Sequence, residues 1–548
     1  MHASSLRRPP LVVVAAALSW ALAQGPAAPS LPGAPGVTLR STTTLVQVGV
    51  VAQDKQGQPV AGLTKDDFEV LDNGRPRPIA TFVVESSGAA APCTLAPNTF
   101  TNQFTDIEGS SSGGYVVVVL DWLNTSVVST VRARQQVIEM LNQFGPADKV
   151  ALYTLERPGL RVVAEFGSGT AALLQKLASL RVQKPPYAQK DLNINDDDRT
   201  ADEIGFLPGD HPDAVDYQMQ KMEEAFFIDL RIRDTLRAFE AIADHLAGVP
   251  GRKGLIWVSS AFPTNVEERP DGGALFKGAM PGIKTYSAAV DRSIRKLNNA
   301  NVAVYAVDAR GLMTGSPAKD PSGKNMTTQT MDQFASATGG LAYHGRNELA
   351  LGMRRALDDV RIGYTLGFYA PADDPVGRFH RLTVRVKKPG VQLRYRKGYS
   401  TDNQSASLTP EDRRAQAIKV LLSPVDSTAI PIQAKAERNQ SDLKLQIVLK
   451  PSSLGLVMKG DRWQGGADLV MRFAVDNGEE AGVPSSETIG FDLTQRTYEA
   501  TERQGLVLTR DVRIPPEATR LRVFVLNNSN GENGTLTIPL RAIDQKCH

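Results

Sequence analysis

The spacing of hydrophobic and polar positions changes several times along the chain. At residues 41–86, Leu45, Val46, Val48 and Val50 begin a strand of approximate period two, "DKQGQP" reads as a turn, and "DNG" at 72–74 is a hairpin signal. Pro76 and Pro78 suit an edge strand. The simplest reading is a small N-terminal β domain. Residues 87–113 are rich in Ser, Gly, Ala, Pro and Thr and read as a linker, with the central "NTFTNQF" placed to dock on a neighbour. From 114 onward strands alternate with helices. "YVVVVLD" is a continuous apolar strand that stops at Asp121, and Val127, Val131, Ile138 and Leu141 then recur at helical spacing. "KVALYTL", "RVVAEF", "KGLIWVSS" and "NVAVYAVDA" are further strands. "TAALLQKLASL", "DTLRAFEAIADHLAG" and "NELALGMRRALDDV" are helices, the second closed by Gly248. This order predicts an α/β domain over 114–400, with a doubly wound, mostly parallel sheet and helices on both faces. It carries an insertion at about 183–215 and closing strands at 362–400. Residues 401–424 are a polar linker, and the strands spaced through 425–545 predict a C-terminal β-sandwich.

Composition adds a location. The chain has 548 residues, 41% hydrophobic and 22% charged, with a formal net charge of +3. Such a balance gives no broad field for nucleic acid or an anionic membrane. Residues 1–23 have the form of a secretory signal: Arg7 and Arg8, the apolar run "LVVVAAALSWALA", and small residues at Ala21 and Ala23. The expected product is exported, periplasmic or extracellular, with no membrane span after cleavage. Cys93 and Cys547 are the two cysteines; export permits a bond between them but does not require it.

The candidate site follows from the strand at 115–121. A buried strand that ends in an aspartate and the polar loop "NTS" lies where α/β sheets bind ligands, beyond the carboxyl ends of the strands. Asn124, Thr125 and Ser126 from this loop, with Ser259 and Ser260 from the end of "LIWVSS", are the expected partner-binding residues. Over residues 42–400 the chain resembles von Willebrand factor A-related proteins of the acidobacterial type. The resemblance rests on the order of "DKQGQPVAGLTKDDFEVLDNG", the "FTN" element at 100–102, "VVVVLDWLNTS", "ADKVALYTL", "GRKGLIWVSSAFP", "VAVYAVDARGL" and "FHRLTVRVKKPGVQLRYRKGYS". It implies a von Willebrand A domain on a Rossmann-like sheet, flanked by β modules. It also implies a metal-ion-dependent adhesion site, whose first loop reads Asp-x-Ser-x-Ser. Here Asp121 and Thr125 fit, Leu123 stands at the first serine position, Thr235 is the second-loop candidate, and Ser260 stands where a third-loop aspartate is expected. Asp121, Thr125 and Thr235 would be the ligands of Mg²⁺ or Ca²⁺. One formal charge with neutral oxygens is a poor trap for either ion. The site therefore reads as degenerate, with no cofactor and with Asp121 capping the turn that follows.

Other patterns carry less. The stretch 191–203, "DLNINDDDRTADE", lacks the glycine and the terminal glutamate of an EF-hand loop and reads as a solvated acidic loop. The six histidines form no metal-binding spacing, and there is no nucleophile elbow or phosphate-binding glycine loop. The expectation is an exported, non-enzymatic binding or scaffold protein whose partner is an unidentified protein or envelope component. The alternatives are a Mg²⁺- or Ca²⁺-dependent adhesin with a relaxed site and an exported hydrolase with a site assembled from distant residues.

Overall fold

The computed structural model describes residues 45–85, 95–104, 114–125, 127–142, 148–157, 159–180, 212–249, 251–260, 262, 265–268, 282–310, 324–344, 349–361, 363–371, 378–400, 409–476 and 478–543. Residues 1–23, both cysteines, Ser126 and the acidic stretch 191–203 lie outside the described residues. In chain order the first strands are β1 (Leu45–Gln53), β2 (Phe68–Asp72), β3 (Arg75–Arg77), β4 (Thr81–Glu85) and β5 (Thr99–Thr101). The central part follows as β6 (Tyr115–Asp121), α1 (Val127–Leu141), β7 (Lys149–Glu156), β8 (Gly159–Ala164), α2 (Thr170–Ser179) and α3 (Pro212–Leu246). Next come β9 (Lys253–Ser259), β10 (Asn265–Glu268), β11 (Gly282–Thr285), α4 (Ser287–Asn299), β12 (Val302–Asp308), α5 (Lys324–Thr338), β13 (Ala342–Tyr343) and α6 (Leu349–Arg361). Then β14 (Gly363–Tyr369), β15 (Phe379–Val386), β16 (Gln392–Arg394), β17 (Gly398–Ser400) and α7 (Pro410–Leu421) lead to the last module. That module holds β18 (Gln433–Asn439), β19 (Asp442–Leu449), β20 (Val457–Lys459), β21 (Arg462–Ala474), β22 (Glu480–Thr494), α8 (Gln495–Gln504), β23 (Leu506–Arg513), β24 (Arg520–Asn527) and β25 (Asn533–Pro539).

The molecule is mixed α/β with several sheets. The central one has the order β13-β12-β9-β6-β7-β8. The contacts β12–β13, β12–β9, β9–β6 and β6–β7 are parallel, and β8 returns antiparallel to β7 at one edge. The sheet is therefore mixed, not parallel throughout. Six-residue apolar runs such as Tyr115–Leu120 read as continuous because both faces of the strand are covered. Odd positions of β6 pack with Ile232, Phe239 and Leu246 of α3 and with α4 and α5. Even positions pack with Val137 and Met140 of α1, Leu173 and Leu177 of α2, and Val360 of α6. Helix α3 starts at Pro212, a residue pre-set for the first helical turn, so the expected insertion at 183–215 gives way to helix before its end.

The boundaries expected around this sheet are redrawn by strand pairing. Residues 41–86 do not close a domain of their own. β1 pairs with β14 and β16, β4 with β14, and β2 with β15, so the N-terminal strands and the strands of 362–400 build one sandwich. Val46, Val48, Val50, Phe68 and Val70 share its core with Tyr364, Leu366, Phe368, Leu382 and Val384. The physical reason is area: the strands of 45–85 have a buried apolar face and need a second layer to cover it. The expected linker at 401–424 holds α7, whose Val420 and Leu421 pack on Phe524 and Leu526. The C-terminal strands form two sheets around one core. One of those sheets, β23-β19-β18-β5, takes its edge strand from the "NTFTNQF" segment.

Candidate functional site at the ends of the parallel strands

The apolar strands β6 and β9 run side by side and stop together, and their terminal loops meet as the pattern predicts. Leu120 is in register with Val258, and the Ser260 N–H donates to Thr125 Oγ1 at 3.2 Å and to the Asn124 carbonyl at 3.3 Å. Asp121 lies at the centre and is fully buried. Its Oδ1 accepts from the Asn124 N–H at 3.0 Å and from Asn124 Nδ2 at 3.1 Å. Its Oδ2 accepts from Asn124 Nδ2 at 2.9 Å, Trp257 Nε1 at 2.9 Å and Ser259 Oγ at 2.9 Å. The turn-capping bond expected of Asp121 is the first of these, and it is one part of a larger network. All of these donors are neutral. Burial raises the Asp121 carboxyl above the ordinary carboxylate value, and the bonds from Asn124, Trp257 and Ser259 pull it back without cancelling the rise.

Thr235 reaches the same cluster from α3. The segment "DLRIRDTLRAF" is continuous helix, and the hydroxyl still faces the loop: Thr235 Oγ1 donates to the Arg231 carbonyl at 2.9 Å and accepts from Asn124 Nδ2 at 2.8 Å. Asn124 thus bridges Asp121 and Thr235. Leu123 points into the sheet core among Tyr153, Leu236 and Trp257, where it is 3% exposed. A serine there would leave a cavity in that core.

Partner-binding residues were expected at this edge, and the structure places four of them in its interior. Asn124, Thr125, Ser259 and Ser260 are all buried, and the Asn124 amide, the Thr125 and Ser259 hydroxyls and the Ser260 N–H are turned toward Asp121, Thr235 or one another. The Ser260 hydroxyl is itself buried and finds no hydrogen-bond partner among the described residues. Side chains held this way tie the two loops to each other and to α3. Ser126 lies outside the described residues.

Two contributors were not singled out from sequence. Trp257 sits in an apolar strand, and the signal was its indole N–H, which requires an acceptor when buried. Asp308 ends β12 opposite Ser259 and is gripped by Arg310, whose backbone N–H donates at 2.9 Å and whose Nη2 donates at 2.8 Å. The dipeptide spacing in "VDARGL" was the available clue. Among the described residues no cluster of three or more His, Cys, Asp or Glu side chains is placed to hold a metal ion. No described helix is long and apolar enough to cross a membrane.

Other buried polar clusters brace the first sandwich and join the modules. His380 Nδ1 lies 2.7 Å from Asp72 Oδ1 and stacks on Tyr399, whose hydroxyl donates to Asp72 at 3.2 Å. Asp359 accepts from Gln53 at 2.9 Å, Tyr305 at 2.9 Å and Arg394 at 2.5 Å, linking the first sandwich to the central sheet. Buried Arg396 donates to the carbonyls of Asn298 and Gln47, and burial lowers its guanidinium to about 10. At the other junction the "FTN" element acts as a clamp. Asn102 Nδ2 donates to the Ser427 and Ile430 carbonyls at 2.8 and 2.9 Å, and Asn102 Oδ1 accepts from the Ile432 N–H at 2.8 Å. Beside it, the Gly248 N–H donates to Thr428 Oγ1 at 2.7 Å. A Cβ at 248 would fall 2.3 Å from the Thr428 carbonyl oxygen, so this approach requires glycine.

Comparison with known proteins adds little to this geometry. No family model matches the chain, and no curated protein matches it. Among solved structures, the N-terminal domain of TFIIH p34 aligns with 44% of this chain and 96% of its own length, at 9% identity and a TM-score of 0.19. A similarity at that level supports no inference about fold or function.

Proposed function

We propose that the protein is an exported, non-enzymatic binding or scaffold protein, built on a doubly wound, von Willebrand A-like domain whose metal-ion-dependent adhesion site is degenerate. The observation that carries this reading is the saturation of Asp121. A carboxylate offers about four lone-pair positions, and here they are taken by N–H and O–H groups of Asn124, Trp257 and Ser259. A divalent ion needs those lone pairs and several further oxygens. Trp257 and the Asn124 amide nitrogen present hydrogens where an ion would require ligands, and Leu123 is turned into the core. These residues do not fit Mg²⁺ or Ca²⁺, which favours a structural hub over an ion-dependent adhesin. The hydrolase alternative gains nothing from the Asp72–His380 pair, since both side chains are closed to solvent, at 1% and 3% exposure.

Export follows from the signal-like N-terminus, and binding from the way two β modules are held on one α/β unit by buried side chains. The test has two arms. Titration calorimetry of the native chain with Mg²⁺ and Ca²⁺ should give no specific heat, and capture from envelope extracts of the source cell should return a reproducible partner in the presence of EDTA. Tight ion binding abolished by Asp121→Asn would restore the adhesin reading. Capture of nothing, with or without ions, would remove the binding reading.

A further inference from the structure

A second surface lies near the start of β12, at the other end of the parallel strands from Asp121. There a cleft of about 420 Å³ opens between α4 and α5 on one side and β15 and β17 on the other. Its size falls within the range of ligand-binding clefts. Helix α4 carries three neighbouring cations. Arg292 pairs with Glu240 at 3.1 Å and Lys296 with Asp244 at 2.9 Å, both on α3. Arg295 projects from another face and lines the cleft, with no ion pair among the described residues. Lys397 stands on the facing wall, its ammonium 5.1 Å from the centre of the Tyr395 ring and likewise without a carboxylate among the described residues. One acid, Asp291, lines the same cleft, and it already accepts from Gln333 at 3.4 Å.

The mouth of the cleft carries Phe379, 62% exposed. Its ring lies over Gly398 of the neighbouring strand, where an added Cβ would fall 2.2 Å from ring atom Cζ. The bare glycine thus lets the ring lie against β17, at a cleft that Arg295 and Lys397 also line. An exposed aromatic ring costs solvation and is common where a partner covers it. A guanidinium and an ammonium on facing walls, in a cleft that Asn299 also lines, complement carboxylates.

We propose that this cleft docks an acidic segment of a partner protein, with an apolar side chain against Phe379 and carboxylates on Arg295 and Lys397. The proposal rests on the binding reading given above and moves its contact surface away from the buried Asp121 loops. The unequal charge, two cations to one acid, selects against basic segments, and the ring selects for an apolar residue between the acids.

The test uses the full chain, immobilised and exposed to a phage-displayed library of random short peptides. Enriched sequences should carry acidic residues flanking an apolar one. A synthetic peptide of the enriched sequence should lose about tenfold or more in affinity to each of Arg295→Glu, Lys397→Glu and Phe379→Ser, at unchanged melting temperature. Affinity should also fall as salt rises. No enrichment, enrichment without acidic bias, or equal binding by the three variants overturns the cleft. Failure here leaves the envelope-capture experiment intact, so loss of the cleft and loss of the binding reading are told apart.

Discussion

At the scale of single residues, Asp121 makes the strongest prediction. Replacing it with asparagine exchanges one acceptor oxygen for an NH₂ group that must face a donor from Asn124, Trp257 or Ser259. A buried donor left unmatched costs about 1–3 kcal/mol, more than the ~1 kcal/mol of an ordinary cap. Urea unfolding of Asp121→Asn should show that loss, equal in Mg²⁺ and in EDTA; a neutral substitution, or a loss present only in Mg²⁺, would count against the hub. His245 makes a second prediction, about pH. It is buried among Phe104, Phe166 and Tyr153, its Nδ1 is 2.6 Å from the Asp426 carbonyl, and its Nε2 is 3.6 Å from Glu165. Burial pulls its pKa down, but Glu165 and Asp426 outweigh burial and leave the folded value above the ordinary one. The folded state therefore holds this proton more tightly than the unfolded chain. The contribution is complete below the unfolded value, near about 6.5, and is lost as pH rises through the raised folded value. Native protein should lose melting temperature across that window relative to His245→Gln, and a gain with rising pH would show that the imidazole is buried neutral. The sequence made the meeting of Asp121, Thr125 and Ser260 legible, because two apolar strands each stop in a polar loop. It did not reveal that these groups are buried, because their cover comes from Trp257 and from a helix 111 residues away, and no local pattern encodes either.

At the scale of elements, the segment around Asn102 was legible only as a motif. Its three-residue strand is too short to announce itself by alternation, and its bonds lie 325 to 330 residues away in the chain. Local propensity carries no information over such a distance. The consequence is measurable. Asn102→Ala should leave the Ile430 carbonyl and the Ile432 N–H without their partners, while the Ser427 carbonyl keeps the Thr535 N–H at 2.9 Å, at about 1–3 kcal/mol for each buried group left unsatisfied. Limited proteolysis should then cut between α7 and β18 well before the central sheet opens. If the variant resists protease there as the native chain does, the clamp is not what holds the C-terminal sandwich. Elements with long periods, such as α3 and the apolar strands of the central sheet, were readable because each covers or fills one continuous core. The sandwich partners of 45–85 were not, since a half-covered strand shows that it needs a second layer but not where in the chain that layer lies.

At the scale of the whole molecule, the first sandwich is split and the central sheet is inserted between its halves. A fragment ending at Arg361 should therefore leave β1, β2 and β4 without β14 and β15, exposing Val46, Val48, Val50 and Val70. Such a fragment should aggregate and bind a hydrophobic dye, and one ending at Ser400 should not. A soluble shorter fragment with exchange-protected β1 amides would contradict the pairing. The same split has a meaning for how the protein is made. Leu45 cannot meet Tyr369 until the intervening chain has been synthesised, roughly 15–65 s at ribosomal speeds. Throughout that interval β1, β2 and β4 lack the strands that complete their sandwich, so the growing chain carries an apolar face with no second layer to cover it.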